Sequence, residues 1–559
     1  MSTNSLMNMG VQAMFAAQTQ LNTTGHNIVN AGVAGYSRQT VKLATVAGRE
    51  SGVGYLGAGV AVDTVERAVS RFLTAQNNQS QAQAAADSTR RDLLGQLESG
   101  FPLGELGLGQ AASRMFNAFG EVATSPTDAA VREVALSAVE TTASRLRTAG
   151  EHLASLQSAT SSQLADEATQ VNGLTEQVAD LNRQLLGTGQ AKHQPNDLLD
   201  RRDALIAQIS THIEVSRVDN RDRDGKPDGT VSLFVAGGQP LVLGANSHAL
   251  RTVPDAGGQD RVRLAIEQHG HVRELSGTAL GGGAMAGLLR FQDEDLGQVS
   301  TDLGQMAAAL ADALNTRHAS GTDLDGVAGR TLLQVGEPVA MAAAGNARDA
   351  QGGYAAQVTL RRVAGQGAQL KASDYTLQQD PSDSSRYQLT RASDGTVFGG
   401  LANGAQVDGF SFEVGSTPLA AQDRFLLQPV STAATGVAVA ITDPRKFAAA
   451  GSGAAGSGNA NALAMQDLVR ATAVEGKSFT DAHARLVSSL GSRVQRVTSE
   501  ADTSTEAAAL SKTQLGSQTG VNLEEEAARL LEYQQSYQAA TKVLVTAQKL
   551  FDTMLSIVG

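Results

Sequence analysis

Near the start of the chain, Met7, Val11, Met14, Gln18, Leu21, Gly25 and Ile28 recur at alternating steps of four and three. That is the spacing of a coiled-coil seam, and it predicts a helix. The last forty residues repeat the pattern without a break, through Leu523, Ala527, Leu530, Gln534, Tyr537, Thr541, Leu544, Gln548, Phe551, Leu555 and Val558. As a helix this segment makes a rod of about 50 Å. Glu524, Glu525 and Glu526 fall in its first turn, where the helix dipole favours negative charge. Three seam positions, Gln534, Thr541 and Gln548, are polar, which fixes register at a cost in stability. So narrow an apolar stripe leaves an isolated helix marginal in water. Both ends are therefore expected to order fully only against partners.

Between these ends the period changes twice. After Ser125-Pro126, a plausible helix entry, Val139, Ala143, Leu146, Gly150 and Leu153, then Leu164, Val171, Val178 and Leu185, hold a helical register as far as Gly187. Val487, Leu490, Val494, Val497 and Ala501 form a matching stripe expected to pair with it. Residues 213–275 alternate at period two with glycines between the runs, and so do residues 355–430, where Asp394-Gly395 marks a turn; both blocks read as strands and hairpins. A helix is expected at 284–318 between them, and the Gly/Ala/Ser/Asn tract at 448–462 reads as a flexible connector.

The expected architecture is multidomain α+β, a helical coiled-coil stalk built from both chain termini with inserted β-rich domains. Its parts are a terminal helix and hairpin at 1–60, a helical domain at 61–212 completed by 466–519, and β-rich insertions at 213–283 and 326–445. A returning helix at 284–325, a connector at 446–465 and the last helix at 520–559 fill the rest.

Composition sharpens this picture mainly by exclusion. A chain of 559 residues is too long for one core, and with no cysteine, no tryptophan and 4% aromatics its cores must be built from small aliphatic side chains. Absence of cysteine removes disulfides, thiolate metal sites and thiol nucleophiles together. A net charge of -12, with no Lys/Arg cluster interleaved with aromatics, argues against nucleic acid. No apolar run is long enough to span a bilayer, so no membrane partner is expected. The first residues lack the cationic start and cleavage site of a secretory signal, which leaves a cytoplasmic protein or one exported by another route. Residues 1–37 carry no formal charge apart from a neutral His26; the first basic residue is Arg38 and the first acidic one Glu50. Such a helix neither repels neighbours nor solvates strongly, and suits packing on several sides.

Chemical motifs are few. Gly52 to Gly57 fits GxGxxG, but an extended segment follows where a phosphate-binding turn would open a helix. Asn220, Asp222, Asp224, Gly225 and Asp228 fall at calcium-loop offsets, yet Val231 stands where the bidentate carboxylate belongs, so a solvated turn is favoured. The Asp323 and Asp325 stretch is weaker still. His269 and His271 read as hairpin histidines, and "DLLDRRDALIAQIS" as an amphipathic helix with a salt-bridged face rather than a carboxylate dyad. No HExxH or GxSxG occurs. Catalytic, cofactor-binding and metal-ligating residues are all assigned as none.

"NIVNAGVAGYSRQ" supplies a positive identification. Asn27, Asn30, Gly35, Tyr36, Ser37, Arg38 and Gln39, with Ile28, resemble the N-terminal signature of bacterial flagellar axial proteins; Val33 departs from it, where many relatives carry Thr. Together with "GAGVAVDTVERAVSRFLTAQ", "DLLDRRDALIAQI" and "GVNLEEEAARLLEYQQSYQAATKVL", the chain is similar to the hook-associated protein 1 family. Asn30 and Gly32 can end the helix, Gly35 permits a turn and Tyr36 can anchor the returning strand. The resemblance implies a non-enzymatic structural protein, secreted unfolded by the flagellar type III route to the junction of hook and filament. It implies an inner layer of terminal helices around the export channel, with the β modules facing outward. Implied partners are other copies in a ring, the hook protein, the second hook-filament junction protein and an export chaperone on the C-terminal helical segment. The residues expected to carry assembly are Met7, Met14, Leu21, Ile28, Leu530, Tyr537, Leu544, Phe551 and Leu555. A hook, rod or flagellin-type axial subunit is the alternative, disfavoured by "GYSRQ" together with the long helix at 127–186. A calcium-binding or enzymatic surface protein using the flagellar route is a remoter one.

Overall fold

The computed structural model describes the chain apart from residues 1–2, 52–53, 187–194, 236, 256–260, 269, 455–456 and 559. Helix α1 (Thr3–Asn30) opens it, and a hairpin follows in which Gln39–Thr45 pairs antiparallel with Val60–Arg67, Gln39 opposite Arg67. A short pair, Arg49–Ser51 with Gly54–Leu56, extends the tip, so the glycine-rich stretch lies in a hairpin and not at the start of a helix; Gly52 is outside the described residues. The returning strand runs on to Arg67, across the boundary expected at 60.

Four helices form the first part of the body: α2 (Arg71–Ser99), α3 (Leu108–Thr124), α4 (Ala129–Leu186) and α5 (Asn196–His212). Leu94, Leu97, Phe116, Phe119 and Val139 are wholly or almost wholly buried among them. The entry of α4 is capped by Asp128, whose Oδ1 accepts from Ala130 N at 2.8 Å, while Ser125 and Pro126 make the turn before it. Gly187 lies outside the described residues.

The first β unit holds a four-stranded sheet, Ser216–Arg221, Pro227–Val235, Gln239–Leu243 and Asn246–Ser247 in that order, and a three-stranded one centred on Val262–Gln268. The chain then returns through α6 (Ala284–Arg290), a π-helical turn at Phe291–Leu296 and α7 (Gly297–Ala319). The π-turn re-aims its side chains. Asp295, fully buried, receives Arg90 of α2 at 2.7 Å and Arg493 at 3.1 Å, while Asp293 meets Arg261 and Arg263 of the first β unit at 2.7 and 3.0 Å. One turn thus ties two helices and a sheet together. The Gly281–Gly287 stretch around α6 also crosses α2 closely. Gly283 has φ +92 and a Cβ there would lie 2.5 Å from the His212 and Ile213 backbone; one at Gly287 would lie 2.4 Å from Ala86 O.

The second β unit is a five-stranded sheet in the order Val339–Ala342, Arg424–Gln428, Tyr375–Asp380, Asp383–Arg391, Val397–Leu401, beside a three-stranded one. Beyond it the expected connector at 446–465 is corrected at its two ends, while Ser452, Gly453 and Ala454 between them are exposed. Phe447, Ala448, Ala449 and Ala450 are fully buried, and α8 (Ala460–Gln466) already belongs to the body. Asn461 Nδ2 donates to Ala448 O at 2.6 Å, and the buried Arg132 guanidinium is bonded to Phe447 O and to Pro126 O. A run of alanines reads as linker by composition, but its lack of bulk is also what lets a strand pass between helices.

The last two helices are α9 (Phe479–Thr519) and α10 (Leu523–Val558). The stripe of α9 lies chiefly against α2, not against α4 as its pattern suggested. The seam of α4 is already covered, by α3 along its first half and by strands of the first β unit along its second. Sequence-distant helices do share one bundle, and the whole is helical at both ends with β-sheet units inserted, as the residue pattern predicts.

Candidate assembly interface

The signature residues meet in one knot at the end of α1. Asn27, 1% exposed, donates through Nδ2 to Gln39 O at 2.8 Å and to Glu526 Oε2 at 2.9 Å, and accepts through Oδ1 from Tyr36 Oη at 2.8 Å and Gln39 N at 2.9 Å. Asn30 Nδ2 donates to His26 O, closing the last helical turn. Burial first, then Asp200, Asp197 and Glu526, push the Tyr36 hydroxyl up to about 12, so it remains a donor. Gly35 has φ +82, and a Cβ there would sit 2.9 Å from the Ala204 methyl of α5. Only glycine fits both demands. Ser37 N donates to Asp200 at 3.1 Å, Arg38 N to Thr519 O at 2.8 Å, and the Arg38 guanidinium lies 3.5 Å from Glu525. The knot therefore joins α1, the hairpin, α5 and the α9–α10 turn.

Behind it, "DLLDRRDALIAQIS" is the amphipathic helix expected, but Asp200, Arg202 and Asp203 turn inward, and of its charged residues only Asp197 and Arg201 are exposed. Arg67 of the hairpin binds Asp200 and Asp203 at 2.8 Å each, and Arg217 of the first β unit binds Asp203 at 2.7 Å. Opposite charges here fasten the terminal unit to the body.

From this knot α1 and α10 run against each other along their length. The seam between them is rotated from the expected one. In α1 the buried stripe is Gly10, Ala17, Thr24 and Asn27, with Ala16; Met7, Met14, Leu21 and Ile28 flank it half-buried and Gln18 is exposed. In α10 the buried positions are Glu526, Ala540 and Ala547, with Tyr533 half-buried, whereas Leu523, Ala527, Gln534, Gln548 and Phe551 are exposed. Leu530, Tyr537 and Leu544 are half-buried at its edge; the side chain of Leu555 lies outside the described residues. Small residues win the centre because they let the helix backbones approach: a Cβ on Gly10 would meet the Leu544 backbone at 3.4 Å. The signal that finds this seam is the seven-residue spacing of Gly10, Ala17 and Thr24 and of Glu526, Tyr533, Ala540 and Ala547.

The consequence is that large apolar side chains face outward. Phe15 is 59% exposed and Val29 81% on α1, with Leu531 and Val545 on one face of α10 two heptads apart. Of the exposed large apolar residues described, more than half fall in the first 72 and last 50 residues. Contiguous exposed apolar surface marks protein interaction sites. No such helix is long and apolar enough to cross a membrane among the described residues.

The calcium-like loops spend their carboxylates on turns. Asp222 Oδ1 accepts from Asp224 N and Lys226 N at 2.9 Å each, and Asp323 Oδ1 from Asp325 N and Val327 N at the same distance, with Gly225 and Gly326 at positive φ. Asp228 Oδ1 accepts from Thr230. Among the described residues no group of three His, Asp or Glu is placed to hold a metal. His269 lies outside the described residues, and His271 is exposed on a strand.

Comparison with known proteins bears directly on this surface. Residues 94–333 match the family model for the flagellar hook-associated protein FlgK helical domain, residues 346–429 that for the flagellar hook-associated protein 1 D2-like domain, and residues 517–557 that for the flagellar basal body rod FlgEFG protein C-terminal region. The chain is 32% identical to flagellar hook-associated protein 1 of Salmonella typhimurium, over 99% of this chain and 100% of the relative. It is 31% identical to the Escherichia coli protein of the same name over the same shares. The solved flagellar hook junction protein FlgK from Burkholderia pseudomallei shares the fold, with a TM-score of 0.70 and 24% identity over 79% of this chain and 99% of that one.

Proposed function

The chain belongs to the flagellar hook-associated protein 1 family, and from that premise we propose that it is a structural subunit of the extracellular junction between flagellar hook and filament, working by packing and not by catalysis. One observation carries the mechanical reading. An N-terminal helix without a charged residue pairs with the last helix through small side chains, leaving its Met7, Met14, Leu21 and Ile28 half-buried and its Phe15 and Val29 exposed. Copies of the chain joined edge to edge in a ring would cover those faces. The hook protein on one side, the second junction protein on the other, and a chaperone for the C-terminal segment during type III export complete the set of partners. The ring would place the terminal helices innermost and the β units outward.

The likeness of residues 517–557 to rod proteins favours a second reading, an axial subunit of the rod or hook itself. Deleting the gene separates the two. Cells that keep their hooks and lose their filaments support the junction; cells that lose hooks overturn it.

A further inference from the structure

Between the hairpin, α5 and the first β sheet lies a cleft of about 720 Å³ that gathers the guanidinium groups of Arg67, Arg71, Arg202 and Arg217. Three carboxylates answer them. Asp200 and Asp203 take Arg67, Asp203 also takes Arg217, and Asp219 takes Arg217 at 3.0 Å and Arg71 at 3.1 Å. Of the other acids near the cleft, Glu66 is held by Lys42 at 2.5 Å and Asp228 by Thr230. The fourth guanidinium is left over. Arg202 is only 2% exposed, yet among the described residues the one carboxylate within 4 Å of it, Asp203, is 3.9 Å away. One Arg202 nitrogen donates to Gly229 O at 2.6 Å, and Nε has no acceptor. Burial, then Arg217 and Arg67, pull its pKa down to about 10. A buried cation without a hydrogen-bonded anion is costly, and this one lines an open cleft that also holds a second, three-quarters exposed arginine, Arg71.

We propose that the cleft binds a compact oxyanion, phosphate or a side-chain carboxylate, which completes the charge balance at Arg202 with Arg71 closing over it. The walls come from the terminal hairpin, from α5 and from the first β unit, so the bound anion would clamp the terminal unit to the body at the joint already held by Asp200 and Asp203. This goes beyond the junction reading and does not depend on it.

The test is thermal unfolding of the full-length monomer in inorganic phosphate, in glutarate, and in chloride at matched ionic strength. The expected result is a rise in midpoint of about 2–4 °C in phosphate or glutarate over chloride. A rise in phosphate identifies a tetrahedral oxyanion, and a rise in glutarate alone identifies a carboxylate. Arg202→Gln and Arg71→Ala should each remove most of the gain. If Arg202→Gln does not fold, the exposed Arg71→Ala decides. Equal midpoints in all three salts, or a gain that survives in Arg71→Ala, overturns the proposal.

Discussion

Asn27 spends all of its hydrogen-bonding capacity on three partners, and two of them, Tyr36 and Gln39, stand in the motif that a reader of the sequence can quote. The third, Glu526, is 499 residues away and is invisible until the chain has folded. Replacing Asn27 by Ala leaves the buried Glu526 carboxylate and the Gln39 backbone short of partners, at about 1–3 kcal/mol; urea unfolding followed by circular dichroism measures it. Gly35→Ala should cost at least about 1 kcal/mol from its positive φ alone, with the Ala204 contact added. A third residue predicts a pH effect. His318 is fully buried; its Nδ1 donates to Arg330 O at 2.6 Å and its Nε2 accepts from Ala448 N at 3.0 Å, an arrangement only the neutral ring can make. Burial holds its pKa below the usual histidine value. The unfolded chain therefore takes up the proton first, and stability is lost as pH falls through about 6.5 toward the folded value. Denaturation midpoints at pH 7.5 and 5.5 should differ, and His318→Gln should shrink that difference; an unchanged difference would assign it elsewhere, for example to His483, which burial shifts the same way.

At the scale of the helix, the four-three spacing was sufficient to find α1 and α10 and insufficient to orient them. Two adjacent stripes of α10 share the spacing, one holding Gln534 and Gln548 and the other Ala540 and Ala547, and they differ by one residue. Period alone does not choose between them; the stripe with Tyr533, Ala540 and Ala547 is the less polar one, and its small side chains allow the close approach that a period cannot show because it is a property of the pair. The rotation sorts the consequences of substitution. Ala547→Leu, at the seam, should loosen α1 from α10 by about 1–3 kcal/mol through overpacking, seen as faster hydrogen exchange in α1. Val545→Asp, on the outward face, should leave exchange unchanged in the monomer and abolish filament growth in cells. Normal motility in that variant would argue against the outward face as the contact between subunits.

Across the whole molecule, alternation and period located both β units and the long helix, while composition misled at the two ends of the tract at 448–462, where Ala448, Ala449, Ala450, Asn461 and Ala462 are buried; Ser452, Gly453 and Ala454 between them are exposed. Glycine and alanine lower the apparent hydrophobicity of a segment whether it is loose or threaded through a core, and nothing local distinguishes the cases. Limited proteolysis distinguishes them. Cleavage should trim residues near both ends together, since α1 and α10 lean mainly on each other and on the hairpin, and should spare the stretch from Phe447 to Ala450. Early cuts within that stretch would contradict its burial. The charge clamp at Asp200 and Asp203 belongs to this scale too: a salt-bridged helix face was legible, but what it fastens depends on arginines from two other units.

The pairing of the first helix with the last also makes each end of the chain depend on the other. Without the residues beyond 520, Gly10 has no Leu544 backbone against it and Asn27 loses its bond to Glu526, so a truncated product has nothing to close its opening helix. The last helix is thus the latch of the first, and only a chain carried to its end can fasten its own beginning.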